Sequence, residues 1–103
     1  MPLNLGDQHI NLTDAAAMTL RFRQANPVGA IKAHLFSRDI IDQILAQPGC
    51  EGIRIYNAID DSNVETLVAV GVDINKNDLF NGVLAEHTEK CPPQCPNVNP
   101  LNS

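Results

Sequence analysis

The sequence predicts a single α+β domain: two N-terminal helices packed on a three-stranded antiparallel β-meander, followed by a Pro/Cys-rich tail. Apolar residues recur at helical spacing in the first half and then shift to short β-rich runs between turn clusters. After residue 90 the composition changes to Cys, Pro and Asn, and the whole chain of 103 residues has the length of one domain. We therefore expect a domain over residues 1–90, with 1–12 as an extended lead-in, and a tail over 91–103 that packs on it.

Two helices are predicted before residue 50. The first starts near Thr13 and stops at Asn26, because the residue before a proline is disfavoured in helical geometry. Ser37 is the predicted N-cap of the second helix, which Pro48-Gly49 ends. The segment between the helices, residues 31–36, is ambiguous.

Three strands are predicted in the second half, around residues 53–56, 66–72 and 83–85, with turn clusters at 60–63 and 75–78. Two consecutive strand–turn–strand connections indicate an antiparallel meander. A three-stranded sheet cannot bury itself, so both helices are expected to cover one of its faces. Its two free edges favour a homodimer that pairs edge strands across a two-fold axis.

The charge of the chain argues against two classes of partner. Seven Lys and Arg against twelve Asp and Glu give a net charge of −5, and no basic cluster stands out. We therefore expect no nucleic-acid partner and no binding to an anionic membrane, since both need clustered cations. No apolar run approaches the roughly 18 residues of a membrane span, and the N-terminus lacks the features of a signal peptide. The expected compartment is the cytoplasm, where cysteines are reduced by default.

The run from His87 to Cys95 is the segment that looks most like chemistry. It has the spacing His-x3-Cys-x3-Cys, and prolines between the two cysteines restrict the loop. Thiolates and imidazoles at this spacing can reach one zinc ion. The predicted metal site comprises His87, Cys91 and Cys95, with Cys50 as the preferred fourth ligand and His34 as the second choice.

The cysteines also have two readings without a metal. The favoured reading is that Cys91 and Cys95 are free thiols, packed against the sheet by the proline-rich tail. The alternative is a disulfide or redox pair, although Cys-x3-Cys is not the usual Cys-x-x-Cys redox spacing. Cys50 is either a buried apolar residue or a nucleophile with His34 or His87 as its base. The sequence leaves enzyme activity undecided.

Four segments resemble a known group of proteins: Gly49-Cys-Glu-Gly-Ile-Arg-Ile-Tyr56, Val70-Gly-Val-Asp73, Cys91-Pro-Pro-Gln-Cys95 and Asn99-Pro-Leu-Asn102. With them the chain resembles small uncharacterised bacterial proteins that have a Cys-Pro-Pro-x-Cys tail. This resemblance covers most of the chain and implies no activity, substrate or catalytic residue.

The residues alone therefore carry the functional expectation. They favour a non-catalytic binding or interaction domain that a structural zinc site at the Cys/His tail stabilises. The alternatives are a thiol enzyme or redox protein that uses Cys50 or the Cys91/Cys95 pair, and a subunit that works only inside a larger assembly.

Overall fold

The structure is a computed structural model that describes residues 3–102. In chain order, its elements are α1 (Leu12–Ala25), β1 (Ala33–Leu35), α2 (Arg38–Leu45), β2 (Gly52–Ile59), β3 (Glu65–Val72), β4 (Leu84–Ala85) and β5 (Glu89–Cys91). The predicted α+β class is confirmed, with two helices and a three-stranded antiparallel sheet in the order β2-β3-β4. A second sheet formed by β1 and β5 was not predicted.

Helix α1 begins one residue before the predicted start at Thr13. Asn11 caps it, since its side-chain oxygen accepts a hydrogen bond from the backbone N–H of Asp14 at 2.8 Å. The helix ends at Ala25 because Asn26, which precedes a proline, has extended geometry with φ −126° and ψ 154°. No residue of α1 is buried, and the predicted packing of α1 on the sheet stays a prediction.

Helix α2 begins where the sequence predicts. The Ser37 hydroxyl accepts a hydrogen bond from the N–H of Ile40 at 3.5 Å, as expected for an N-cap. The helix ends at Leu45, three residues before Pro48, and Ala46 is its C-cap. Among the helices formed by residues 3–102, none is long and apolar enough to cross a membrane.

The described chain forms two compact units, of which the first contains residues 3–4 and 35–89. Here β2 pairs with β3 along its whole length, from Gly52 opposite Val72 to Ile59 opposite Glu65. Helix α2 packs on this sheet through the buried residue Ile44. The core cluster consists of Ile44, Ala69 and Ala85, with Phe36, Ile40, Cys50, Ile53 and Val83 packed against it.

Gly71 allows α2 to approach the sheet closely. A Cβ at this position would lie 2.8 Å from Sγ of Cys50 and 3.3 Å from Cγ2 of Ile44. Because 2.8 Å is shorter than a carbon–sulfur contact allows, a larger residue would require the Cys50 side chain or the strand to shift.

The second unit contains residues 5–34 and 90–102, and so holds α1 and the described part of the tail. The tail is bonded to other parts of this unit. The backbone N–H of Lys32 donates to the Cys91 carbonyl at 2.8 Å, and Nη1 of Arg23 donates to the Leu101 carbonyl at 2.6 Å. The tail is therefore held by specific contacts within this unit. That the whole chain forms one domain stays a prediction.

Candidate functional site

Cys91 and Cys95 form a disulfide, with their Cα atoms 4.7 Å apart. Strand β5 ends at Cys91, and the chain then turns back, with the N–H of Gln94 donating to the Lys90 carbonyl at 2.9 Å. This turn brings the second cysteine next to the first. Of the readings that the spacing left open, the bridged pair is the one the structure holds.

The two halves of the bridge differ in accessibility. Cys91 is buried, with 3% of its surface exposed, whereas Cys95 is exposed and lines a cavity. Thiol–disulfide exchange begins with attack of a thiolate on one accessible sulfur, and the other sulfur leaves. Cys95 is therefore the more accessible residue of the bridge.

The cavity beside Cys95 has a volume of about 260 Å³ and lies entirely within the second unit. Its walls come from the last turn of α1, the segment that follows it and the tail. The lining includes Phe22, Arg23, Pro27, Val28, Lys32 and Pro92. An apolar cavity with a few charged groups is typical of a site for a small organic ligand.

Two cations line this cavity, and both bond to the end of the tail. Nζ of Lys32 donates to the Asn102 carbonyl at 2.9 Å, as Arg23 does to the Leu101 carbonyl. Because the Asn102 carbonyl carries no net charge, its bond leaves the positive charge of Lys32 in place. A nearby cation stabilises a thiolate, which is the species that forms when the bridge opens.

Cys50 and His87 lie in different surroundings. Cys50 is half-buried, and its thiol donates to the Gly52 carbonyl at 3.3 Å, as expected for the apolar packing role. The side chain of His87 is 99% exposed, and its backbone N–H donates to the Glu86 carboxylate.

The predicted zinc site stays a prediction. Residues 3–102 contain no group of three or more His, Cys, Asp or Glu arranged to hold a metal ion. In the bridged pair, moreover, neither Cys91 nor Cys95 is a thiolate, the form that binds zinc. Zinc at His87, Cys91, Cys95 and Cys50 is therefore a hypothesis about the reduced protein.

The sequence did not reveal a polar cluster in the first unit. The Tyr56 hydroxyl donates to the Asp78 carboxylate at 2.5 Å, and the Arg54 guanidinium forms an ion pair with the same carboxylate. The hydrogen bond from Tyr56 lowers the pKa of Asp78, and the same bond to Asp78 raises the pKa of Tyr56. Arg54 also donates to the Lys76 carbonyl at 3.1 Å, so the cluster fastens the 73–78 turn to β2. The alternation of Arg54 and Tyr56 on one strand face was the only available signal.

Comparison with protein-family models, with curated proteins and with solved structures finds no match. The function is therefore argued from the site itself.

Proposed function

We propose that this protein is a thiol–disulfide exchange protein that uses Cys91 and Cys95 as its redox pair. The observation that carries the proposal is the asymmetry of the bridge, with Cys95 exposed at a cavity and Cys91 buried. Exchange needs one sulfur that a substrate can reach and a second one that leaves when the bridge opens.

The short loop closed by the bridge supports this role. The cysteines are four positions apart in the sequence. A bridge across so few residues restricts the unfolded chain less than a bridge across a long loop, and so it stabilises the fold less. A chain of 103 residues can also build its core without a disulfide. Reversible opening therefore costs less stability here than opening a bridge across a long loop would cost.

The reaction balances with a thiol as the reductant. A substrate thiolate attacks Sγ of Cys95, the bond between the two cysteine sulfurs breaks, and Cys91 leaves as a thiolate that takes up a proton. A second substrate thiolate then attacks the substrate sulfur of the mixed disulfide and releases Cys95 as a thiolate, which is protonated in turn. Two thiols are oxidised to one disulfide, and the protein receives two electrons and two protons.

A non-catalytic binding domain is the second candidate. The cavity of about 260 Å³ with its charged residues favours it, since such a site can hold a ligand without any exchange. The two candidates differ in whether the bridge reacts. A ligand that binds equally well to the bridged protein and to a Cys91→Ala/Cys95→Ala variant would favour simple binding.

The proposed compartment is the cytoplasm. A disulfide in that compartment is usually transient and belongs to a catalytic or sensing cycle, which agrees with the proposed exchange. Trapping thiols in intact cells with an alkylating agent tests this point. Complete and permanent oxidation of the pair would contradict it.

The proposed assembly is a homodimer through β2. This strand lies at one edge of the three-stranded sheet and exposes Ile55 and Ile59. Light scattering should give twice the chain mass, and Ile55→Lys should reduce it to one chain. A monomeric wild-type protein at all accessible concentrations would contradict the dimer.

The exchange function is tested with single-thiol variants. In a Cys50→Ala background, Cys91→Ser leaves Cys95 as the only thiol, and Cys95→Ser leaves Cys91. Each variant is mixed with an aromatic disulfide reagent, and the rate is divided by that of the same variant unfolded in urea. This ratio should be at least about tenfold higher for the protein that retains Cys95 than for the protein that retains Cys91, because the Cys95 thiol is accessible. Equal rates, or a faster reaction of Cys91, would overturn the proposal.

A further inference from the structure

We infer that the substrate of the exchange site is a low-molecular-weight thiol that carries a carboxylate. The inference rests on the proposed function and adds the chemical class of the substrate. It draws on the size of the cavity, its apolar wall and its cations.

The size of the cavity favours a small molecule. Its volume of about 260 Å³ lies slightly below the range of about 300–1,000 Å³ found for pockets that hold drug-sized ligands. Phe22 and Pro27 line it with apolar surface that can contact a short carbon skeleton. An amino-acid-sized thiol therefore fits this site better than an extended peptide segment.

The charge of the cavity selects an anion. Lys32 forms none of the ion pairs found among residues 3–102, and its ammonium group donates to the neutral carbonyl of Asn102. Arg23 adds a second positive charge to the lining. The chain as a whole carries a net charge of −5, so the cations of this cavity provide a local attraction for an anion on an acidic protein. A carboxylate is the group that Lys and Arg recognise with charge-assisted hydrogen bonds.

The ammonium group of Lys32 and the disulfide act together in the reaction. The carboxylate binds to the ammonium group of Lys32 while the thiolate of the same molecule attacks Sγ of Cys95, which lines the same cavity. The bond between the cysteine sulfurs breaks, the substrate–Cys95 disulfide forms, and Cys91 leaves as a thiolate that takes a proton from water. A second thiol completes the reduction as described above. Binding through the carboxylate makes the attack effectively intramolecular.

Three small thiols of different charge test the inference: mercaptopropionate, mercaptoethanol and cysteamine. Each reduces the oxidised Cys50→Ala protein, and mass spectrometry follows the mixed disulfide. The rates are expressed per thiolate and divided by those for the same protein unfolded in urea, which removes the intrinsic reactivity of each thiol. The anionic thiol should exceed the neutral one by about threefold to tenfold, and the cationic one should be the slowest.

The variant Lys32→Gln should remove most of the rate advantage of mercaptopropionate over mercaptoethanol. It should not lower the rate of cysteamine below that measured with the protein that retains Lys32. Arg21→Gln is the matched control, because it removes one positive charge from an exposed position of α1 that does not line the cavity. This control should preserve the order of the three thiols. If Lys32→Gln slows all three thiols equally, Lys32 only holds the tail through Asn102, and the inference is overturned.

Two further outcomes separate the inference from the proposed function. Equal acceleration of all three thiols over the unfolded chain would overturn the substrate class and support the exchange function. If no thiol reacts faster with the folded protein than with the unfolded chain, the exchange function itself fails.

Discussion

Reduction of the Cys91–Cys95 bridge should lower the free energy of unfolding by about 2 kcal/mol, as the loop-entropy relation gives for a loop of about five residues. The loop length follows from the sequence separation of four positions. A bridge across about fifteen residues would contribute about 3 kcal/mol on the same relation. The core cluster around Ile44, Ala69 and Ala85 contains neither cysteine, so the first unit should keep its packing after reduction.

The assay compares one protein in two redox states, which avoids the packing loss of a substitution at buried Cys91. The Cys50→Ala protein is unfolded with urea once oxidised and once reduced, and mass spectrometry verifies the state of the pair. Circular dichroism follows secondary structure, and the fluorescence of Tyr56, the only tyrosine, follows the first unit. A loss of about 4 kcal/mol or more, or unfolding without urea, would show that the bridge is a structural staple and refute the reasoning.

Three other predictions concern the polar cluster, the helix–sheet contact and the reduced tail. The hydrogen bond to Asp78 raises the pKa of Tyr56 above its ordinary value of 10.0. The stability that this bond contributes is therefore fully present below pH 10.0 and is lost as the pH rises through the higher pKa of the folded protein. Asp78→Asn should therefore move the phenolate absorbance midpoint toward the ordinary value, and an unchanged midpoint would contradict the role of this bond. Gly71→Ala should destabilise the protein by about 1–3 kcal/mol in urea unfolding because the site is already filled, whereas wild-type stability would show that the helix can shift freely. Native mass spectrometry of the reduced protein should show one bound zinc ion. The variants His87→Gln and Cys91→Ser should each lack this ion, and zinc retention in both variants would contradict the predicted site.

The elements that the sequence predicted correctly have strong local signals. Ser37 caps α2 through a contact with Ile40, three residues away, and the turn clusters separate β2, β3 and β4 as expected. These structures depend on neighbouring residues, whose spacing the sequence displays directly.

The missed features depend on residues far apart in the chain. Strands β1 and β5 have three residues each, too few to show alternation, and they form only by pairing with one another. Arg54 and Asp78 are 24 positions apart, so no motif marks their ion pair. The Cys91–Cys95 spacing drew attention to the tail, but the choice among metal site, bridge and free thiols depends on the fold of the turn between them and on the burial of Cys91.

The same limit applies to the cavity. Its lining joins the end of α1 to the tail, and among these residues only Cys95 was predicted from the sequence to take part in a site. The sequence does not distinguish Phe22 from other residues of the predicted helix, or Lys32 from other residues of the connecting segment, so neither is marked as part of a cavity.

The most direct test of the exchange function is the reduction potential of the Cys91–Cys95 pair, measured by equilibrating the Cys50→Ala protein with glutathione buffers of known ratio. Free and bridged forms are separated by their mass after alkylation. A pair that serves exchange should be half reduced between about −180 and −270 mV, within the range of known dithiol oxidoreductases. A value below about −300 mV, typical of structural disulfides, would contradict the account.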